Sequence, residues 1–121
     1  MLFSKHKTII ATDTETIFKV PTGYTAHWNF TFISNHGGST NNVSLWMDND
    51  RDGDDTYTTQ FYIVDGKQLG SKEYLQFSDG IVVLHSGDRI RASTESAGDV
   101  SVIITFDLLY SGIDFADFNQ V

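Results

Sequence analysis

Residues 24–33, YTAHWNFTFI, alternate by twos. Tyr24, Ala26, Trp28, Phe30 and Phe32 fall on one side of an extended chain, with Thr25, His27, Asn29 and Thr31 on the other. A side-chain period of two is that of an antiparallel strand with one face buried. On this reading Trp28 belongs to the core. Residues 99–109, DVSVIITFDLL, repeat the pattern: Val100, Val102, Ile104, Phe106 and Leu108 alternate with Ser101, Ile103, Thr105, Asp107 and Leu109. This second long strand is more apolar on both faces.

Six shorter runs lie around these two: TIFKV at 16–20, NVSLWM at 42–47, TTQFYIV at 58–64, KEYLQF at 72–77, GIVVL at 80–84 and RIRAST at 89–94. Turn-forming residues separate them, among them Pro21-Thr22-Gly23, His36-Gly37-Gly38, Asp65-Gly66 and Ser86-Gly87-Asp88. No segment carries a helical stripe ten residues long. The pattern predicts an all-β fold: a single antiparallel β-sandwich, jelly-roll-like, of about eight strands. Residues 1–121 form one domain, with an N-terminal arm at 1–8 and a C-terminal tail at 111–121. That tail, SGIDFADFNQV, sets Ile113, Phe115, Phe118 and Val121 among two aspartates. It suits packing, either on its own domain or on a neighbouring subunit.

Composition narrows the function. The chain has 121 residues, enough for a core that needs no covalent staple, and no cysteine. Thiol catalysis, zinc–thiolate sites, iron–sulfur clusters and disulfides are therefore excluded. The formal charge is −8, with no dense basic patch to attract a phosphate backbone, so nucleic acid is not an expected partner. No run approaches the roughly 20 apolar residues of a membrane helix, and the opening MLFSKHKTII is too short and polar for a signal peptide. A soluble compartment, or a particle assembled in one, is expected.

No catalytic constellation emerges. His6, His27, His36 and His85 lack the spacing that would set two ligands on one helix face or adjacent on one strand. No serine stands in a G-x-S-x-G elbow, and Glu15, Glu73 and Glu95 fall in separate segments. The chain reads as a non-enzyme without a resident cofactor.

One stretch could bind a cation. Residues 48–55, DNDRDGDD, place Asp48, Asp50 and Asp52 before Gly53, the opening of a D-x-D-x-D-G calcium loop. Position twelve of such a loop would be Thr59 rather than a bidentate glutamate, and neither flank looks helical. Calcium at Asp48, Asp50 and Asp52, an acidic docking surface and a solvated hairpin end all remain open, the last being the simplest account of clustered carboxylates. Among the aromatics, Trp46 is out of phase with Val43, Leu45 and Met47, so it is expected to face outward beside this loop. Tyr57, Tyr62 and Tyr74 could join it as a stacking surface for sugar rings. The competing account is a protein interface, where Trp and Tyr are enriched. Trp46, Tyr57, Phe115 and Phe118 are the candidate interface residues.

Two segments carry a resemblance. ETIFKVPTGYTAHWNFTFISN, with its V-P-x-G-x-x-A turn between two strands, resembles the opening of small β-sandwich virion proteins of tailed bacteriophages. YLQFSDGIVVLHSGDRIRASTESAGDVSVIITF is similar to their closing half, through Gly80, Ile81, Val82, Leu84, Gly87, Asp88, Ile90 and Ala92. Together they span about half of the chain. The motif residues mainly encode turns: Pro21 fixes φ, Gly23 and Gly87 relax the backbone, and Asp88 can bond the amides that follow it. The resemblance implies a virion component, most simply a capsid decoration (cement) protein on the major capsid protein lattice. A tail, neck or fibre module that contacts host glycans is the alternative, and a free calcium-dependent carbohydrate-binding module lies further off. It also implies a homo-oligomer, for which a trimer at capsid quasi-threefold positions would serve. The acidic loop and the Phe-rich tail depart from the family pattern.

Overall fold

The computed structural model describes residues 2–9, 14–49, 59–78, 82–95 and 99–110. All regular structure among them is strand: β1 Leu2–Ile9, β2 Glu15–Lys19, β3 Tyr24–Asn35, β4 Asn41–Asn49, β5 Thr59–Leu69, β6 Tyr74–Phe77, β7 Val82–Leu84, β8 Arg89–Thr94 and β9 Val100–Tyr110. They form two antiparallel sheets. One is ordered β1-β9-β3-β6, with β7 beside β6 along the same edge of β3; the other is ordered β2-β8-β4-β5.

The pairing is nested. β1 pairs with β9, β2 with β8, β3 with β6 and β7, and β4 with β5. A chain paired in this way is one long hairpin ribbon whose tip is the β4–β5 connection. Rolling the ribbon brings β9 against β3 and β8 against β4, which completes the two sheets. The result is a β-sandwich with jelly-roll order. Eight strands match the segments read from the sequence. The ninth, β1, is a correction: an arm was expected at residues 1–8, whereas Leu2–Ile9 lie antiparallel to β9, from Leu2 opposite Asp107 to Ile9 opposite Val100. Phe3 stands across from Phe106 with ring centroids 5.8 Å apart, an apolar contact that gives the segment a reason to dock.

The core lies between the sheets. Ala26, Trp28 and Ile33 of β3 meet Val43, Leu45 and Met47 of β4, Ile90 and Ala92 of β8, and Val100, Val102, Ile104 and Phe106 of β9. The predicted phase of β3 holds only as far as Trp28. A bulge between Trp28 and Phe30 turns the rest of the strand over, so Thr31, Ile33 and Asn35 are buried while Phe30 and Phe32 face outward, half-buried. One extra residue in a strand reverses every side chain beyond it. The Trp28 indole N–H donates to the carbonyl of Phe30 at 3.2 Å, and Thr105 Oγ1 donates to Asn29 Oδ1 at 2.7 Å; both bonds hold the bulge.

The motif turns meet in space. The Tyr24 amide donates to the carbonyl of Pro21, with Gly23 at φ 86°, a conformation that side-chain-bearing residues rarely adopt. The Gly87 amide donates to the carbonyl of Val20, the Val20 amide to that of Asp88, and the Gly23 amide to Ser86 Oγ. Asp88, buried, accepts the amide of His85 at 3.0 Å. Its carboxylate thus holds an amide that precedes it in the turn. These motif residues weld two turns at one end of the sandwich, which is why they report fold more directly than function.

Candidate functional site

The histidines are dispersed. His6 stands opposite Ile103 on β1, and His27 opposite Asp107 on β3. His36 Nε2 shares a 2.8 Å hydrogen bond with Ser101 Oγ, and His85 belongs to the turn closed by Asp88. Among the described residues no three acidic or imidazole side chains form a group able to hold a metal ion.

The start of the aspartate run departs from a solvated loop. Asp48 is only 2% exposed, and Arg89 Nε donates to its Oδ2 at 3.0 Å. The cause is register: β4 and β8 set Asp48 directly opposite Arg89, and Trp46 opposite Arg91. One oxygen of the first calcium candidate is therefore committed to a guanidinium. Asp50 and Asp52 lie outside the described residues.

Trp46 is also a correction. Expected to face outward and exposed, it is 6% exposed, with the Tyr62 ring 5.5 Å away. Its phase was read properly, but the outer surface of β4 is covered as well: Trp46, Met47, Asp48 and Asn49 are buried in succession. Trp46 Nε1, Arg91 Nε, Asp48 Oδ1 and Asn49 Oδ1 are buried and have no hydrogen-bond partner among the described residues. The expected stacking surface is not assembled either. Tyr62 lies on the β2-β8-β4-β5 sheet, whereas Tyr74 stacks on Phe32 at 5.3 Å on the other sheet. Tyr57, Phe115 and Phe118 lie outside the described residues.

The surface best suited to a partner was not singled out from the sequence. Ten large hydrophobic side chains are exposed among the described residues, and five of them, Phe61, Tyr62, Ile63, Tyr74 and Phe77, sit on β5 and β6. These strands are the last of their respective sheets and face each other along one side of the sandwich. Between them opens a cleft of about 460 Å³, lined by Ile63, Val64, Leu75 and Phe77 and by the polar run from Asp65 to Gln68. Tyr62, beside Trp46, and Tyr74, on Phe32, lie on the outer faces of their sheets, so the apolar part of the cleft is Ile63, Val64, Leu75 and Phe77. Apolar side chains gathered in a cleft suit an interaction site. The signal was Phe61-Tyr62-Ile63: three consecutive large apolar residues in a strand cannot all share a single buried face.

No family model matches the chain, and no curated protein matches it by sequence. Solved structures do. A chain from the acidic-stable capsid of Helicobacter pylori bacteriophage KHP30 superposes with a TM-score of 0.57 at 16% identity, covering 93% of this chain and 90% of that one. The VP2 subviral particle of infectious bursal disease virus gives 0.55 at 9% identity, covering 96% of this chain but 34% of that one. The Drosophila NLP core gives 0.51 at 11% identity, covering 90% and 98%. At such identities the likeness is one of fold, shared by viral capsid chains and by a protein outside viruses.

Proposed function

We propose that this chain is a non-enzymatic structural protein of a bacteriophage virion, and that it decorates the outside of the capsid by binding the major capsid protein lattice. The observation that carries this reading is the nearly end-to-end match with a phage capsid chain of similar extent, 93% of one and 90% of the other. The turn motifs of the resemblance agree with the same fold, which brings them together at one end of the sandwich. The apolar side formed by β5 and β6 supplies a surface for a protein partner, whether the major capsid protein, another virion protein or a further copy of the chain. A homo-oligomer, such as a trimer, fits the closed symmetry usual for such domains. The reading assigns no part to calcium or another cofactor, and it places the protein in the virion after assembly in the host cytoplasm.

Quantitative mass spectrometry of purified particles tests this by counting the chain against the major shell protein. Copies comparable with the shell protein are expected. A handful per particle would move the chain to the neck, tail or fibres. Absence from particles would overturn the virion reading and leave a free binding module.

A further inference from the structure

We infer that the cleft between β5 and β6 receives the C-terminal segment, residues 111–121, of a neighbouring copy of the chain. The inference stands whether or not the partner lattice is a capsid. The receiving surface is built from both sheets: Ile63 and Val64 on one side, Leu75 and Phe77 on the other. Its volume of about 460 Å³ is some three times the roughly 150 Å³ that takes up a benzene ring. The segment offers three large apolar side chains within six residues, Ile113, Phe115 and Phe118.

Geometry selects a neighbour over the same chain. β9 ends at Tyr110, opposite Tyr24, whereas β6 pairs with Thr31–Ser34. Those positions begin seven residues further along β3, roughly 20 Å at about 3.3 Å per residue. β9 also runs away from β6, from Val100 opposite Asn35 to Tyr110. To fill its own cleft the segment would have to reverse, cover that distance and cross from β9 past β3 to the outer edge. Eleven residues reach at most about 36 Å when fully extended, so the reversal and crossing would leave few of them to lie in the cleft. A neighbour's segment needs no reversal. The contact is head-to-tail, and such contacts close into rings when the rotation permits.

The absence of cysteine permits a clean test with the full chain. Gln68, exposed at the cleft, is changed to cysteine (Gln68→Cys) and labelled with a benzophenone maleimide, leaving every apolar side chain in place. The labelled chain is mixed with unlabelled ¹⁵N chain, irradiated and mapped by mass spectrometry. Cross-links from the label to the ¹⁵N peptide containing residues 111–121 are expected, and Phe115→Asp with Phe118→Asp in the ¹⁵N chain should abolish them. Cross-links confined to the labelled chain's own tail would overturn the inference, as would capture of another segment or no cross-link at all. A Thr22→Cys variant, labelled at an exposed turn remote from β6, reports the background.

Discussion

Replacing Asp48 with alanine separates a built ion pair from a solvated loop more sharply than any other change in the DNDRDGDD run. The carboxylate is 2% exposed and Arg89 is 23% exposed, with 3.0 Å between Nε and Oδ2. Removing one partner from a fully buried pair costs about 3–5 kcal/mol, because the remaining charge stays desolvated. Arg89 retains some contact with water, so the expected cost is lower, about 2–3 kcal/mol. For a domain of this size each kcal/mol lowers the melting temperature by about 3–5 °C, which gives a fall of roughly 10 °C. Thermal unfolding followed by circular dichroism reads it directly. Asp48→Ala with Arg89→Ala should cost clearly less than the sum of the single changes, since either single change already removes the hydrogen bond that the two share. Strict additivity, or a single-variant loss below about 0.5 kcal/mol, the ordinary range for surface changes, would refute the pairing.

Three further changes test other parts of the structure. Trp28→Ala removes a 4%-exposed side chain between the sheets and should cost about 3–5 kcal/mol in chemical denaturation; a near-neutral value would mean that Trp28 does not face the core. Asp50→Ala with Asp52→Ala should leave the melting temperature unchanged in both calcium and chelator, and a loss of several degrees seen only with calcium would establish a metal site. Lys72→Gly should raise stability by about 1 kcal/mol, because Lys72 holds φ at 65° and its exposed bond to the His36 carbonyl contributes little. A fall in melting temperature would show that this bond outweighs the backbone relief.

The strands were legible because alternation and turn residues are local signals. What escaped the sequence was produced by pairing. The Trp28–Phe30 bulge reverses half of β3, yet YTAHWNFTFI alternates so regularly that nothing in it marks an inserted residue. β1 was missed because Phe3 is the sole aromatic of its segment and becomes informative only opposite Phe106. Asp48 looked like part of an acidic loop because its partner, Arg89, lies 41 positions away and meets it only through the β4–β8 register. The expectation of an exposed Trp46 failed for a related reason. The phase of Trp46 was correct, but phase alone does not say whether the outer surface of a sheet is itself covered.

The edges of the sandwich bear on how such a domain associates. An unpaired strand edge invites pairing with another chain, and each edge here carries a feature that discourages it. On β1, Lys5 stands opposite the buried Ile104 at an inward register position while remaining exposed. β2 is five residues long with a register shift between Thr16 and Phe18. β6 has four residues. β5 is long, but its register shifts twice against β4, and Gly66, at φ 62°, gives its amide to Ser44 Oγ. Strand addition is therefore a poor route to assembly at any edge. Ile63 and Phe77, exposed on β5 and β6, line the cleft where the two sheets part, so association there needs side chains to fill a cleft and no continuation of a sheet. A domain built in this way can associate by its side without promoting edge-to-edge aggregation.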